Sequence, residues 1–343
     1  MSPGGLLWLV GAVLGGVALL ATIMALEWAW EVRDRRRFLP PGQLVDIGER
    51  HLHIASRGSS PGPTVVMELD AGQLSSLWWP VQLRIANFAR VCTYDRAGYA
   101  WSEPPREEPS LASRVADLHA LLQRAEIPGP YVFVAQGMGG LLARLFAREY
   151  PRLVVGLVLI DALPEAVLLR RSFQRWCRRR ARWQLLRCWL AMLGIERAWA
   201  RLHRRGFLPA DPAGRAFTVR TRHRRTLRQD LRSLTRAEET LRQPAARGAL
   251  GERPLIVMSH DAAKDAGGVL EAGWLEGQRQ LATLSRNNEL QLTPLPAGTI
   301  LRDAPELIVE AVRRVHTAAR QGTRLSTLAR SEAASSLAVS RVD

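Results

Sequence analysis

Short apolar runs alternate with longer amphipathic stretches through most of the chain. Residues 64–69, 90–94, 131–135, 154–160, 254–259 and 289–295 are brief and apolar-rich, bounded by Gly, Pro, Asp or Asn, and read as strands. Residues 111–127, 141–149, 274–285 and 307–319 lie between or after them with helical spacing, and residues 46–54 read as an opening hairpin. Strands that alternate with helices predict a mostly parallel sheet covered by helices on both faces.

The N-terminus follows a different pattern. Residues 6–26 are apolar or small without interruption, and the first charge is Glu27. As a helix they span about 31 Å, enough for a hydrocarbon core of about 30 Å. Trp28 and Trp30 follow, then Arg33, Arg35, Arg36 and Arg37, which suits an interface. A cleaved signal peptide needs a basic start, and no Lys or Arg precedes Arg33. The expectation is therefore a single transmembrane anchor over residues 1–30 and a basic, Pro-containing connector over 31–43. The charge asymmetry puts the N-terminus outside and the body in the cytoplasm. Gly11-x-x-x-Gly15 is a weak close-packing signature for a membrane partner. Three cysteines, Cys92, Cys177 and Cys188, give no disulfide framework and no paired metal spacing. That fits a reducing compartment, with no metal and no cofactor expected.

Charge changes the picture again. The chain carries a formal net charge of +16. Residues 164–250 hold 22 Arg against six acids, so the whole excess lies there. The first part of this segment, 166–193, places Phe173, Trp176, Trp183, Leu186, Leu190 and Leu193 near helical spacing. Arg171, Arg175, Arg178, Arg179 and Arg182 fill much of the rest. A basic helix with Trp on its apolar side can lie in a membrane surface and attract anionic lipid. The plainer alternative is a helix whose Trp residues pack inward and whose Arg residues face water. Nucleic acid is not expected, since no recognition motif accompanies the patch. Residues 321–343 lack periodic hydrophobic spacing and read as a disordered tail.

The chemistry turns on one turn. The strand at 131–135 runs into Ala135-Gln-Gly-Met-Gly-Gly140 and then a helix, the setting of a nucleophile elbow, G-x-S-x-G. The tip is Gly137, which has no side chain to attack with. Upstream, Tyr94-Asp-Arg-Ala-Gly-Tyr-Ala-Trp-Ser102 follows another strand. Together these segments resemble the α/β-hydrolase superfamily, in particular a bacterial branch with a Tyr-Asp-Arg-Ala-Gly-Tyr-Gly-Trp-Ser segment and a Gly-His-Ser-Met-Gly-Gly elbow. The resemblance covers residues 43–165 densely and 253–318 more loosely. It implies a core at 44–163 and 251–320, with residues 164–250 as an inserted helical lid.

The resemblance also implies where a triad would sit. The base position, in Pro296-Ala-Gly-Thr-Ile-Leu-Arg-Asp-Ala-Pro-Glu306, falls on Gly298 or Thr299, and neither takes a proton at neutral pH. The acid position falls on Asp161, or on Asp261 or Asp265. Backbone N–H groups near Gly72 and Met138 are the expected oxyanion donors, and Ser75 and Ser76 lie close by in sequence. His260 is the one His at a strand exit beside the crevice, where such a residue is usually just solvated. With nucleophile and base both lost, the sequence predicts an intact sheet, an empty crevice and no working Ser-His-Asp triad. The expected role is a binding or scaffold subunit at a membrane, with a membrane-protein complex, an acyl-type ligand or anionic lipid as candidate partners. The alternative is a carboxylic-ester or lipid hydrolase using relocated groups.

Overall fold

The computed structural model describes residues 3–202, 211–237, 247–261 and 273–328. Its strands are β1 (Gln43–Asp46), β2 (His51–Arg57), β3 (Thr64–Glu68), β4 (Val91–Tyr94), β5 (Tyr131–Gln136), β6 (Val154–Ile160), β7 (Leu255–His260) and β8 (Asn288–Thr293). They form one sheet in the order β1-β2-β4-β3-β5-β6-β7-β8. β1 pairs antiparallel with β2, and β2 antiparallel with β4. From β4 to β8 every pairing is parallel.

The helices begin with α1 (Pro3–Arg37), α2 (Trp79–Ile85), α3 (Leu111–Arg124) and α4 (Met138–Glu149). Next come α5 (Glu165–Leu168), α6 (Arg171–Met192), α7 (Ile195–Leu202), α8 (Pro212–Thr218) and α9 (Thr221–Thr235). The chain closes with α10 (Trp274–Ala282), α11 (Ile300–Asp303) and α12 (Pro305–Gln321). Side chains of the central strands alternate between two cores, as a pleated strand dictates. Tyr131, Phe133 and Ala135 of β5 join Leu118, Leu142 and Leu281 on one face. Val132 and Val134 join Ile85, Ile308 and Val312 on the other. Both faces are buried, which is why the runs read as continuously apolar.

Four expectations change. α1 continues unbroken to Arg37, so the start of the supposed connector is helix. α2, preceded by a 3-10 turn over Ser75–Trp78, has no counterpart in the sequence reading. The segment 166–193 is not one helix: it breaks at Leu169 and Arg170, and α6 buries Phe173, Cys177, Ala181, Gln184 and Ala191. Trp183 and Leu186, assigned to the apolar side, are instead 56% and 45% exposed. Small residues let α6 lie close to α9, and the bulky ones turn outward. The tail is ordered at least through residue 328, because Leu325 is buried and its N–H donates to Asn287 Oδ1.

Candidate functional site

The elbow keeps its shape without its nucleophile. β5 ends at Gln136, and α4 starts at Met138. Gly137 between them has φ +55° and ψ −120°, a region that strains any residue carrying a Cβ. Gly139 lets α4 approach β3: a Cβ there would lie 2.4 Å from the Glu68 carbonyl oxygen.

What fills the tip is Asp70, from the loop after β3. A Cβ built on Gly137 would lie 2.2 Å from both Cγ and Oδ1 of Asp70. Asp70 Oδ1 accepts the Met138 N–H at 2.7 Å and the Ala71 N–H at 2.8 Å. The N–H after the elbow and an N–H from the preceding loop are the usual oxyanion donors of this turn. Here both hold the protein's own carboxylate. Of the two expected donors, the Met138 N–H is on this carboxylate together with that of Ala71, and the Gly72 N–H donates to Tyr99 Oη at 3.1 Å. Burial pushes the Asp70 carboxyl above the usual carboxylate range, and the two N–H groups pull it part of the way back.

Arg96, in the Tyr-Asp-Arg segment, holds this loop in place. Its guanidinium donates to the carbonyls of Leu69 and Asp70 and to Glu68 Oε1 at 2.7 Å. Tyr94 Oη donates to Glu68 Oε2. Buried Asp230 of α9 joins the same network, accepting from Tyr99 Oη at 2.7 Å and pairing with Arg114.

Across the crevice, β6 and β7 bring Asp161 and His260 together. His260 Nδ1 is 2.7 Å from Asp161 Oδ1, which also accepts the His260 N–H at 2.9 Å. Asp161 Oδ2 accepts the Gly298 N–H at 3.0 Å. Asp161 has φ +42°, an unfavourable conformation for a non-glycine residue, held by these three contacts. His260 is buried, its ring 5.2 Å from that of Trp274, so it is not the solvated strand-exit residue expected. Gly298 does not replace a base but supplies a backbone donor to the acid. Thr299 caps α11, with its hydroxyl donating to the Pro296 carbonyl. Asp261 lies next to His260 but outside the cavity lining, and Asp265 falls outside the described residues.

Asp70, Gly137, Asp161, His260 and Gly298 line one cavity of about 310 Å³, roofed by Phe173 and Trp176 of α6 and Leu227 and Leu231 of α9. A polar floor under a roof that is apolar apart from Arg180 suits a small ligand with one polar end. Ser75 and Ser76 are buried away from it. Ser75 Oγ donates to Asp95 Oδ2 at 3.0 Å, and His53 Nδ1 lies 2.8 Å from the same oxygen. In this second Ser–Asp–His cluster the hydroxyl faces the carboxylate rather than the imidazole, and all three residues are sealed from solvent. The basic residues Arg171, Arg175, Arg178, Arg179 and Arg182 are exposed on α6.

Sequence reasoning named Gly137, Asp161, Met138 and His260 but missed Asp70. The available signal was an acid directly after a strand, in the loop that faces the elbow.

Residues 72–242 match the family model described as alpha/beta hydrolase fold. An uncharacterized vacuolar membrane protein of Saccharomyces cerevisiae is 34% identical over 107 residues, 31% of this chain and 17% of its own length. The uncharacterized protein YqjL of Bacillus subtilis is 32% identical over 109 residues, 32% of this chain and 43% of its own. The chain thus spans less than half the length of these curated relatives. Among solved structures, Cfl2 from Burkholderia cenocepacia superposes with a TM-score of 0.61 at 21% identity, over 80% of this chain and 95% of that one. The enol-lactonase from Burkholderia xenovorans LB400 gives 0.56 at 18% identity, over 80% of this chain and all of its own. At such identities the likeness speaks for the fold.

Proposed function

We propose, from the premise that the chain belongs to the α/β-hydrolase fold family, that it is a membrane-anchored pseudo-hydrolase. It serves as a binding or scaffold subunit and not as a serine hydrolase. One observation carries this reading. The Asp70 carboxylate occupies both the nucleophile's place and the two N–H donors that would stabilise a tetrahedral oxyanion. An acyl carbonyl then finds neither an attacking group nor a hole for its oxygen. What remains is a small apolar cavity with a fixed polar floor, suited to a neutral ligand with a short hydrocarbon part. The apolar N-terminal helix and the vacuolar membrane relative support a membrane setting. The Arg cluster after residue 26 favours a cytoplasmic body. On this reading the purified full chain stays unlabelled by a fluorophosphonate probe while an apolar fluorophore enters the crevice and a medium-chain alcohol displaces it. Covalent labelling at any residue lining the crevice would end the pseudo-hydrolase reading.

The His260–Asp161 pair favours a second reading, a hydrolase with relocated groups. A carboxylate at 2.7 Å orients the imidazole as in an acid–base pair. Asp70 would then be the nucleophile toward a saturated carbon. Its Oδ2 forms the new C–O bond while the leaving group departs with the bonding electrons. Water, deprotonated by His260, next attacks Cγ of the resulting ester, and the oxyanion develops on Oδ1, where Met138 and Ala71 already donate. The bond from Cγ to the alkyl oxygen breaks, the departing alkoxide takes the proton back from His260, and the carboxylic acid left on Asp70 releases its own proton to solvent, which restores the carboxylate. Turnover in ¹⁸O-water would leave label in the Asp70 carboxylate, detectable by peptide mass. Turnover without label there would exclude Asp70 as nucleophile.

A further inference from the structure

The lid and the anchor are fastened together at the edge of the apolar span. The apolar run of α1 ends at residue 26, and its side chains stand clear of the rest of the protein. Glu27 and Asp34, two turns apart on the same helix, are buried against α7. Arg197 of α7 reaches both: Nε donates to Glu27 Oε1 at 2.9 Å, and Nη1 donates to Asp34 Oδ2 at 2.7 Å. Arg201 stacks its guanidinium over Trp30 at 5.0 Å. The neighbouring Glu196 ties α7 to the lid, accepting from Arg187 Nη2 at 2.6 Å and from Arg224 Nη2 at 3.0 Å.

These contacts fix the level of α7. Glu27 to Asp34 covers about 10 Å along the helix, starting where the hydrocarbon-facing run stops. The headgroup layer on one side of a bilayer is about 5–8 Å thick. α7 therefore lies at headgroup level whenever α1 spans. Its outward side is apolar: Ile195, Trp199 and Leu202 fall at helical spacing and are 47%, 50% and 80% exposed. Trp189, in the last turn of α6, adds a further exposed ring. Its inner side carries the paired charges of Glu196 and Arg197. A short helix with paired charges inside and Ile, Trp and Leu outside has the distribution of an interfacial helix.

We propose that the outer stripe of α7 is a second membrane contact, lying in the interfacial layer of the same bilayer that holds α1. The occupant is lipid because Arg197 pins α7 beside the end of the apolar run, at the level where a bilayer that holds α1 has its headgroups. The exposed arginines at 33, 35, 36 and 37, on the same side of the span, complement anionic headgroups. Phe173 and Trp176, which roof the crevice, belong to the α6 that runs into α7. The lid is thus held on the membrane by the anchor, with the crevice beneath it. This inference rests on the membrane reading above, and its test separates the two.

The test uses the full chain with Cys188→Ser, since Cys92 and Cys177 are buried. A single reporter cysteine at Leu14→Cys (span), Leu202→Cys (stripe) or Leu83→Cys (an exposed site on α2) carries an environment-sensitive fluorophore. The protein is reconstituted into phosphatidylcholine–phosphatidylglycerol vesicles containing nitroxide-labelled lipid. Quenching at 14 and 202 but not at 83 is the expected result. Adding Ile195→Ser and Trp199→Ser should at least halve quenching at 202 and leave 14 unchanged. If 14 is quenched and 202 behaves like 83, the second contact is wrong and the anchor stands. If 14 is not quenched either, both fail.

Discussion

A Cβ at position 137 would land on the Asp70 carboxyl, so the elbow tip accepts no side chain while Asp70 keeps its place. Restoring the family nucleophile by Gly137→Ser should therefore give no esterase activity. It should cost about 1–3 kcal/mol from overpacking, in addition to the backbone strain at that φ. Asp70→Ala in the same chain removes the overpacking part, so chemical denaturation of the two single variants and the double should reveal a coupling of about 1–3 kcal/mol. Additive costs would mean that the two residues do not contend for one space. Asp70 also leaves a mark on pH dependence. Its folded-state carboxyl sits above the ordinary value, so the folded state binds the proton more tightly than the unfolded chain does. The ionised carboxylate then costs stability above the folded pKa, about 1.4 kcal/mol for each unit of the rise, and nothing below the unfolded value of about 3.9. Asp70→Asn retains an oxygen acceptor for the Met138 and Ala71 N–H groups. It should melt higher than the parent near pH 8, with the gain shrinking toward pH 4. A gain that is constant or grows on acidification would refute the assignment.

At the level of elements, the buried carboxylate of Asp230 ties α9 to the core. Asp230 is fully buried and meets Arg114, Tyr99 Oη and, at 3.6 Å, Arg96. Replacing it by Asn takes the counter-charge from the buried Arg114 guanidinium, while Arg96 keeps Glu68, and breaking a buried pair in this way costs about 3–5 kcal/mol. Because Arg96 also holds the Asp70 loop, loss of Asp230 should loosen α9 and the Asp70 loop together. Hydrogen exchange should show faster exchange in α9 and in residues 69–73, with α12 unchanged; protection lost equally everywhere would argue for global destabilisation instead. The outward turn of Trp183 and Leu186 on α6 belongs to the same scale. Helix periodicity marks which residues share a side, but close packing against α9 selected the side with Cys177, Ala181 and Gln184.

For the whole molecule, the proposed membrane setting combines one apolar helix with the strongly basic segment 164–250, two attractions with different salt responses. Charge-driven association is screened within about 10 Å at 0.1 M salt, and burial of the span is not. The full chain should stay in the membrane fraction through high-salt and alkaline carbonate washes. Release by either wash would show that α1 does not span. With the anchor retained, raising salt should weaken lid protection selectively on vesicles rich in anionic lipid, which limited proteolysis can follow.

The alternation of core strands and helices apart from α2, the elbow at 135–140 and the apolar helix at 6–26 were legible in the sequence. Each rests on local periodicity, turn chemistry and length, which neighbouring residues set among themselves. The absence of a serine at 137 and of a histidine at 298 or 299 was equally plain. Contacts between distant loops were not. Asp70 lies 67 positions from Gly137, and Asp161 lies 99 from His260; nothing local to either residue says which partner it meets. Sheet order brings β3 beside β5 and β6 beside β7, and so brings a carboxylate into the oxyanion hole and an acid against an imidazole. The pairing of Arg197 with Glu27 across 170 positions likewise depends on how lid and anchor pack. Local sequence decided which elements exist; only their packing decided which charges face one another, because that energy depends on separations the folded chain alone establishes.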